Sequence, residues 1–221
     1  MLVELLLGDA SVDLVRSSAP YVGSHNCAPP FLPNQGRLVK THEPYLSSYR
    51  RAIHLVRDPR DVVLSYFRFL EWNKKLVIPR RLDRQLAFER FLDAFIRGWL
   101  DAHGTWKSHL TSWTAARLNG QADVMQIRFE EMRAQPAAVV GRISSWLGAA
   151  VSEAEIDRAV ERSAIDHMRG ATAPNVRASP NVGPLVDQGR VGGWRDILTE
   201  RQIKKFDAFA DGLRLMGYPT R

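Results

Sequence analysis

Two side chains that can hold a phosphate group, Arg57 and Ser65, flank the point where a predicted strand gives way to a predicted helix. The segment Ile53–Val56 is largely apolar and β-prone, which predicts a buried strand. Asp58-Pro59 then supplies a helix N-cap and a proline suited to a first helical turn. Because unpaired N–H groups and a positive dipole end meet at such a junction, it is a ready anion site. Arg57 can grip a phosphate there with two nitrogens, and Ser65 can offer a hydroxyl. The helix shows one apolar face, with residues at spacings of three and four: Val62, Val63, Tyr66, Phe67 and Leu70.

A second group of reactive side chains is Lys40-Thr41-His42, which closes a short predicted strand over Arg37–His42. Ligands of open α/β sheets lie at the carboxyl ends of the strands. An imidazole titrates near neutral pH and can take a proton from a hydroxyl or amine, and an ammonium group can stabilise a developing anion. A catalytic role for His42 and Lys40 is one interpretation. A strand end with solvated polar side chains is the other.

The segment Arg57–Ser65 closely resembles the 3′-phosphate-binding motif of the sulfotransferases that use 3′-phosphoadenosine-5′-phosphosulfate (PAPS). The resemblance covers nearly the whole chain, and it implies that Arg57 and Ser65 both hold the 3′-phosphate of PAPS. Lys40-Thr41-His42 resembles the Lys-Thr-His motif of this family. This implies that His42 is the general base and that Lys40 stabilises the transferring group. The implied reaction moves a sulfuryl group from PAPS, the co-substrate, to a hydroxyl or amine of a small-molecule acceptor without a metal.

Two segments resemble the parts of the family that contact adenine. Phe129-Glu130-Glu131-Met132 resembles the family's Tyr-Glu-Asp-Leu, which implies that the Phe129 ring lies on the adenine side of the donor. A plain core phenylalanine is the alternative. Ser163–Met168 resembles a Thr-Ser-Phe…Met segment that brackets adenine, so Ser163 is implied to bind the donor. Ile165 stands where the family has Phe, and we expect weaker packing on adenine.

The segment Asp187–Arg195 resembles the family's second 3′-phosphate motif, Arg-Lys-Gly-x-x-Gly-Asp-Trp-Lys. The glycines match, including Gly189, and so does the tryptophan. Asp187-Gln188 replaces the leading Arg-Lys, which removes two positive charges and adds one negative charge. Contact between Arg190 and the phosphate is therefore a hypothesis.

The family's 5′-phosphosulfate loop, of the type Pro-Lys-Ser-Gly-Thr-Thr-Trp, has no counterpart in the sequence. The resemblance therefore implies an α/β fold with a parallel sheet flanked by helices on both faces, P-loop-like and truncated at its N-terminus. We expect one sulfotransferase-like domain over residues 1–221 that turns over poorly or not at all. A non-catalytic binder of 3′-phosphoadenosine nucleotides is the first alternative function.

Local patterns predict the remaining elements. Apolar periodicity predicts helices over 86–100, 136–148 and 153–163, and another helix marked by Trp106, Leu110 and Trp113. A strand is predicted over Asp123–Phe129, and the capping box Thr199-x-x-Gln202 opens the last helix. We expect long loops over 17–37 and 171–193, a basic loop over 73–85, and the end of a helix in residues 1–10. The three variable segments 17–37, 71–85 and 103–113 are expected to shape the acceptor site. The aromatic residues of 103–113 are read as core rather than acceptor-pocket wall.

Composition limits the possible functions. The net charge of +7 favours anionic ligands, and a basic nucleic-acid-binding protein is the second alternative. It ranks last because the basic residues lack interleaved aromatic side chains, so we expect no nucleic-acid partner. We also expect no membrane partner, since no apolar run approaches ~18 residues.

The single cysteine, Cys27, fits the reducing cytoplasm. His103 and His109 are too far apart in sequence for a helical zinc pair. The family's C-terminal dimer motif is not matched.

Overall fold

The computed structural model describes residues 29–72, 75–76, 83–164 and 189–220. Several predicted segments lie outside the described residues. These are the helix end in residues 1–10, the part of the first loop up to residue 28, most of the basic loop, Ile165, and residues 171–188 of the second loop.

The sequence predicts a parallel sheet, and the structure confirms a parallel pair of strands. Strand β3, Arg51–Val56, and strand β4, Asp123–Arg128, run parallel with a register from Arg51 opposite Asp123 to Val56 opposite Arg128. Parallel strands need a crossover connection, and here helices fill it. The chain therefore has the expected α/β architecture.

Helices follow β3 and β4, and several of them have capping residues at their ends. Asp83, Thr105, Ser152 and Thr199 each accept a backbone hydrogen bond as N-cap. Gly148 ends one predicted helix in the left-handed conformation, with φ of 74°. The helices are α1 Pro59–Trp72, α2 Arg84–Arg97, α3 Trp106–Leu118, α4 Phe129–Ala134, α5 Pro136–Leu147, α6 Glu153–Arg162, α7 Glu200–Lys204 and α8 Ala210–Leu215.

The predicted strand Arg37–His42 is wrong. Only Gly36–Arg37 forms a strand, β2, and it pairs antiparallel with β1, Pro30–Leu32, across a 3₁₀ turn at Pro33–Gln35. The predicted loop 17–37 therefore contains a small hairpin. Lys40 makes an isolated β-bridge. The apolar stretch in this segment is only Leu38-Val39, and Val39 is 36% exposed, so no buried face stabilises a longer strand.

The last helix is also not continuous. A 3₁₀ segment, Lys205–Phe209, separates α7 from α8. Phe206 and Phe209 are both buried within it. A 3₁₀ turn places residues three apart on one side, so the tighter winding directs both rings into the same core.

The chain divides into two compact units, one formed by Met1–His42 with Glu131–Gly189 and the other by Glu43–Glu130 with Arg190–Arg221. In the first unit, Val140 of α5 and Ala159 of α6 are buried against each other's helices. In the second unit, one apolar core joins β3, α1, α2, α3 and the C-terminal helices; it includes Val56, Val63, Phe67, Phe91, Leu92, Leu110, Phe206, Phe209 and Leu213. The prediction of a single domain over 1–221 stays a prediction.

Among the described helices, none has the length and apolar character needed to cross a membrane.

Candidate functional site

The candidate site begins at the junction between β3 and α1, where Asp58 caps the helix as the sequence predicts. Asp58 Oδ1 accepts a hydrogen bond from the N–H of Arg60 at 3.0 Å. Its carbonyl oxygen accepts from the N–H groups of Asp61 and Val62, both at 3.0 Å. The first turn of α1, a helix of 14 residues, therefore begins at Pro59, two positions after Arg57.

Arg57 is held from three directions. Its Nη2 donates to the carbonyl oxygen of Arg190 at 2.9 Å, and its guanidinium carbon lies 4.4 Å from the centroid of the Phe129 ring. The carbonyl oxygen of Arg57 accepts from Trp106 Nε1 at 3.0 Å. Its Nε is buried and has no hydrogen-bond partner among the residues that the structure describes. A buried donor without a partner costs free energy, so this nitrogen is a position where a bound anion would be stabilised.

Asp61, in the first turn of α1, holds the glycine-containing loop Arg190–Trp194. Its Oδ2 accepts from the N–H of Gly192 at 2.7 Å and its Oδ1 from the N–H of Trp194 at 3.0 Å. Burial raises the pKa of the Asp61 carboxyl above its ordinary value, against the lowering effect of these two hydrogen bonds and of Arg57.

A buried ion pair lies beside this contact. Arg60 is fully buried, and its Nε and Nη2 donate to Oδ1 and Oδ2 of Asp58 at 2.9 and 2.7 Å. The guanidinium carbon of Arg60 also lies 3.8 Å from the centroid of the Trp194 ring. The junction is thus filled by paired charges and an aromatic ring rather than by aliphatic side chains.

Glu130 and Tyr218 complete the junction on another side. Glu130 Oε1 accepts from the N–H of Asp58 at 3.2 Å, and its Oε2 accepts from the Tyr218 hydroxyl at 2.8 Å. Burial, and then the neighbouring Glu130, raise the pKa of the Tyr218 hydroxyl, which therefore stays protonated as a donor. Glu130 thus links Tyr218, near the C-terminal end, to the start of α1 through two hydrogen bonds.

The structure brings Arg57, Phe129 and Arg190 together in the second unit. Phe129 is half-buried, and its ring lies against the Arg57 guanidinium. The side chain of Arg190 donates to Asp196 Oδ2 at 2.6 Å, while its carbonyl receives Arg57. Ser65 lies in α1, half-buried, six residues after the helix begins.

The other predicted site residues belong to the first unit. Lys40 and His42 are exposed and follow β2. Ser163 is the C-cap of α6, and its N–H donates to the carbonyl oxygens of Ala159 and Val160. Gly189 has a φ of 57°. The roles predicted for these four residues stay predictions.

The segment 103–113 contributes to the interior and to the junction. Trp113 is 4% exposed, as the interpretation as a core residue predicts, and its Nε1 donates to the carbonyl oxygen of Glu43 at 3.2 Å. His109 Nε2 lies 3.0 Å from the same oxygen. Trp106 instead holds the carbonyl of Arg57. Among the described residues, no group of three or more His, Cys, Asp or Glu side chains is arranged to hold a metal ion.

A comparison with known protein families matches residues 31–217 to the sulfotransferase domain. The chain belongs to this family. The match spans both compact units and includes every predicted site residue, from Lys40 to Arg190.

Among curated sulfotransferases, the chain is 26% identical to mouse sulfotransferase 1B1 over 185 residues, which cover 78% of this chain and 59% of that protein. It is 27% identical to rat sulfotransferase 1A1 over 185 residues, 78% of this chain and 60% of that protein. The chain thus spans about three fifths of the length of the curated relatives it matches.

Two solved structures share the fold of this chain. Mouse sulfotransferase SULT7A1 complexed with PAP superposes with a TM-score of 0.64 at 25% identity, covering 80% of this chain and 66% of that one. Retinol dehydratase in a complex with retinol and PAP also gives 0.64 at 25% identity, covering 82% of this chain and 54% of that one. These likenesses agree with the α/β fold expected for a sulfotransferase.

Four residues around Arg57 escaped the sequence analysis as functional residues: Asp61, Trp106, Glu130 and Tyr218. Their contacts join segments 49 to 133 positions apart, so no local pattern marks them. Asp61 is the exception, because Asp58-Pro59-Arg60-Asp61 places three charged residues shortly after a strand that the sequence predicts to be buried. Charges at such a position are expected to be paired, because an unpaired buried charge is costly.

Proposed function

We propose that this sulfotransferase chain binds PAPS at the junction between β3 and α1 and transfers its sulfuryl group to a hydroxyl or amine of a small-molecule acceptor. The observation that carries the proposal is the buried Nε of Arg57, which has no partner among the described residues and stands at the beginning of a long helix. A phosphate fits this position in charge and in its demand for hydrogen-bond donors.

In this proposal, Arg57 and Ser65 bind the 3′-phosphate of the donor. The Phe129 ring, which now contacts the Arg57 guanidinium, borders the adenine side. Gly189 and Arg190 contribute from the glycine-containing loop, and Ser163 contributes from the end of α6. The co-crystallised PAP in the mouse SULT7A1 structure supports a nucleotide of this class.

The transfer itself rests on Lys40 and His42. His42 takes the proton of the acceptor while the acceptor's oxygen or nitrogen bonds to sulfur. The bond between sulfur and the bridging oxygen breaks at the same time, and its electron pair leaves with 3′-phosphoadenosine-5′-phosphate (PAP). Lys40 offsets the negative charge on the sulfuryl oxygens. The complex of retinol dehydratase with retinol and PAP supports a small molecule as the acceptor class.

The binding part of the proposal is tested by calorimetric titration of the chain with PAP. We expect Arg57→Ala to weaken binding by about 10- to 100-fold, the scale of a hydrogen bond to a charged group. The matched control is Arg51→Ala, which removes the arginine at the start of β3, where it pairs with Asp123 on the surface. The control should bind like the unchanged chain. No PAP binding by the unchanged chain, or equal affinity of Arg57→Ala, would contradict the proposed donor site.

A further inference from the structure

Asp61 uses both of its carboxylate oxygens on one loop. The side chain is buried, with the residue 4% exposed, and the two N–H groups it binds belong to Gly192 and Trp194. These are long-range contacts, since 131 and 133 positions separate the partners in sequence. The carboxylate therefore fixes the loop Arg190–Trp194 against the first turn of α1.

The same loop holds the side chain of Arg57. The carbonyl oxygen of Arg190 accepts from Arg57 Nη2 at 2.9 Å, two residues before the N–H of Gly192 that binds Asp61. Arg57 and Asp61 lie four positions apart on one continuous segment, so loop and junction form a closed hydrogen-bonded circuit. Moving the loop would move the acceptor that orients the Arg57 guanidinium.

A carboxylate at this place is not explained by direct contact with a phosphate. Two like charges close together repel, and burial of Asp61 strengthens that repulsion. The N–H groups of Gly192 and Trp194 explain the carboxylate better. A carboxylate offers each of them its own oxygen, whereas an asparagine side chain offers a single oxygen. Asp61 therefore acts by binding the loop and not by contacting the phosphate.

We propose that Asp61 is a positioning residue, which holds the loop Arg190–Trp194 so that Arg190 orients the Arg57 guanidinium toward the 3′-phosphate. The inference rests on the proposed function, since it assigns Arg57 to that phosphate. It adds a residue that contacts no part of the donor and acts through the loop.

The test combines amide hydrogen exchange with nucleotide binding for Asp61→Asn. We expect the amides of Gly192 and Trp194 to exchange about tenfold faster or more. Asparagine offers these two N–H groups one neutral oxygen in place of two charged ones. The amides of β3 and β4 should keep their rates. PAP binding should weaken about tenfold, whereas binding of adenosine 5′-monophosphate, which lacks the 3′-phosphate, should change less than about twofold. Asp211→Asn is the matched control, an exposed aspartate paired with Lys107 and Arg214, and it should change neither property.

Each outcome decides the inference. Unchanged exchange at Gly192 and Trp194, or an equal loss of affinity for the two nucleotides, would overturn it, since the latter is what general destabilisation produces. If Asp61→Asn does not fold, the test becomes amide hydrogen exchange in the unchanged chain, measured with and without PAP. PAP should then slow the amides of Gly192 and Trp194, and no change would overturn the inference. An unchanged chain that binds no PAP would contradict the proposed function itself, a result distinct from PAP binding that Asp61→Asn leaves intact.

Discussion

Arg60 and Asp58, two positions apart, form a pair with two parallel hydrogen bonds at 2.9 and 2.7 Å, and the Arg60 side chain is fully buried in it. The same geometry occurs on the surface, where Arg84 Nε and Nη2 donate to the two oxygens of Glu71 at 2.9 and 2.7 Å. The Arg84 side chain is 64% exposed. The two pairs differ mainly in burial, so they separate the effect of burial from that of geometry.

We expect Arg60→Ala to lower the free energy of unfolding by about 3–5 kcal/mol, because it leaves the Asp58 carboxylate buried without its partner. It also removes the contact with the Trp194 ring. Arg84→Ala, the matched control, should cost about 1 kcal/mol or less, since water replaces the lost partner. Urea unfolding of both variants measures the difference. Equal losses would contradict a stabilising role for the buried pair.

Phe129→Leu tests the aromatic face under Arg57. Leucine keeps most of the apolar volume and removes the ring, so the cation–π attraction at 4.4 Å is lost. We expect PAP affinity to fall by about 3- to 30-fold, which corresponds to the range of about 0.5–2 kcal/mol for such contacts. Trp99→Leu removes a comparable contact with Arg97 on an exposed surface and should leave the affinity unchanged. Calorimetric titration with PAP checks both, and an unaffected Phe129→Leu would assign the ring to packing alone.

The sequence alone predicted β3, β4, the start of α1 and the helix caps at Asp58 and Thr199, because each depends on residues within a few positions of one another. Arg57 was found in the same way, by its place between an apolar strand and an Asp-Pro cap. Asp61 and Tyr218 were missed because their partners come from distant segments, which only the folded chain brings together. The strand predicted over Arg37–His42 failed for the opposite reason. Its polar ending resembled a strand terminus, but too few apolar residues are available to be buried.

The lowered pKa of the buried His54 side chain predicts a loss of folding stability in acid. Burial, and then the neighbouring His109, lower the pKa of His54 to about 3, whereas an unfolded chain gives histidine about 6.5. Between these values the unfolded state binds a proton that the folded state does not. The free energy of unfolding therefore falls by about 1.4 kcal/mol for each unit that the pH drops below about 6.5, until about pH 3.

Urea unfolding at several pH values, for the unchanged chain and for His54→Phe, isolates this contribution. Phenylalanine keeps a ring beside Trp113, with which His54 stacks at 5.7 Å, and it cannot titrate. We expect the unchanged chain to lose stability more steeply than the variant as the pH falls from 6.5. Carboxyl groups titrate in both proteins, so they cancel in the difference. Parallel curves would mean that His54 is protonated as readily in the folded chain as in the unfolded one.

His42→Ala separates donor binding from transfer. Because we assign His42 to the acceptor's proton, its removal should slow formation of sulfated product by about 10²- to 10⁴-fold from the slow turnover that we expect of the unchanged chain. PAP affinity should stay the same, since the proposed phosphate contacts come from Arg57 and Ser65. Transfer of radiolabelled sulfate from PAPS to a phenol measures the rate, and calorimetry measures the affinity. A variant that loses PAP affinity with its activity would place His42 in the donor site instead.

Ser65→Ala tests whether the α1 hydroxyl contributes to the proposed phosphate contacts. Alanine favours helices, so the substitution in α1 should not reduce folding stability. A hydrogen bond from a hydroxyl to a charged group contributes about 1.5–3 kcal/mol, so PAP binding should weaken by about 10- to 100-fold. Adenosine 5′-monophosphate, without the 3′-phosphate, should bind Ser65→Ala and the unchanged chain equally. The control Ser145→Ala, an exposed serine of α5, should alter neither affinity. Equal PAP affinity of Ser65→Ala and the unchanged chain would leave Arg57 as the phosphate ligand and exclude the hydroxyl, whereas a loss shared by both nucleotides would place Ser65 away from the 3′-phosphate.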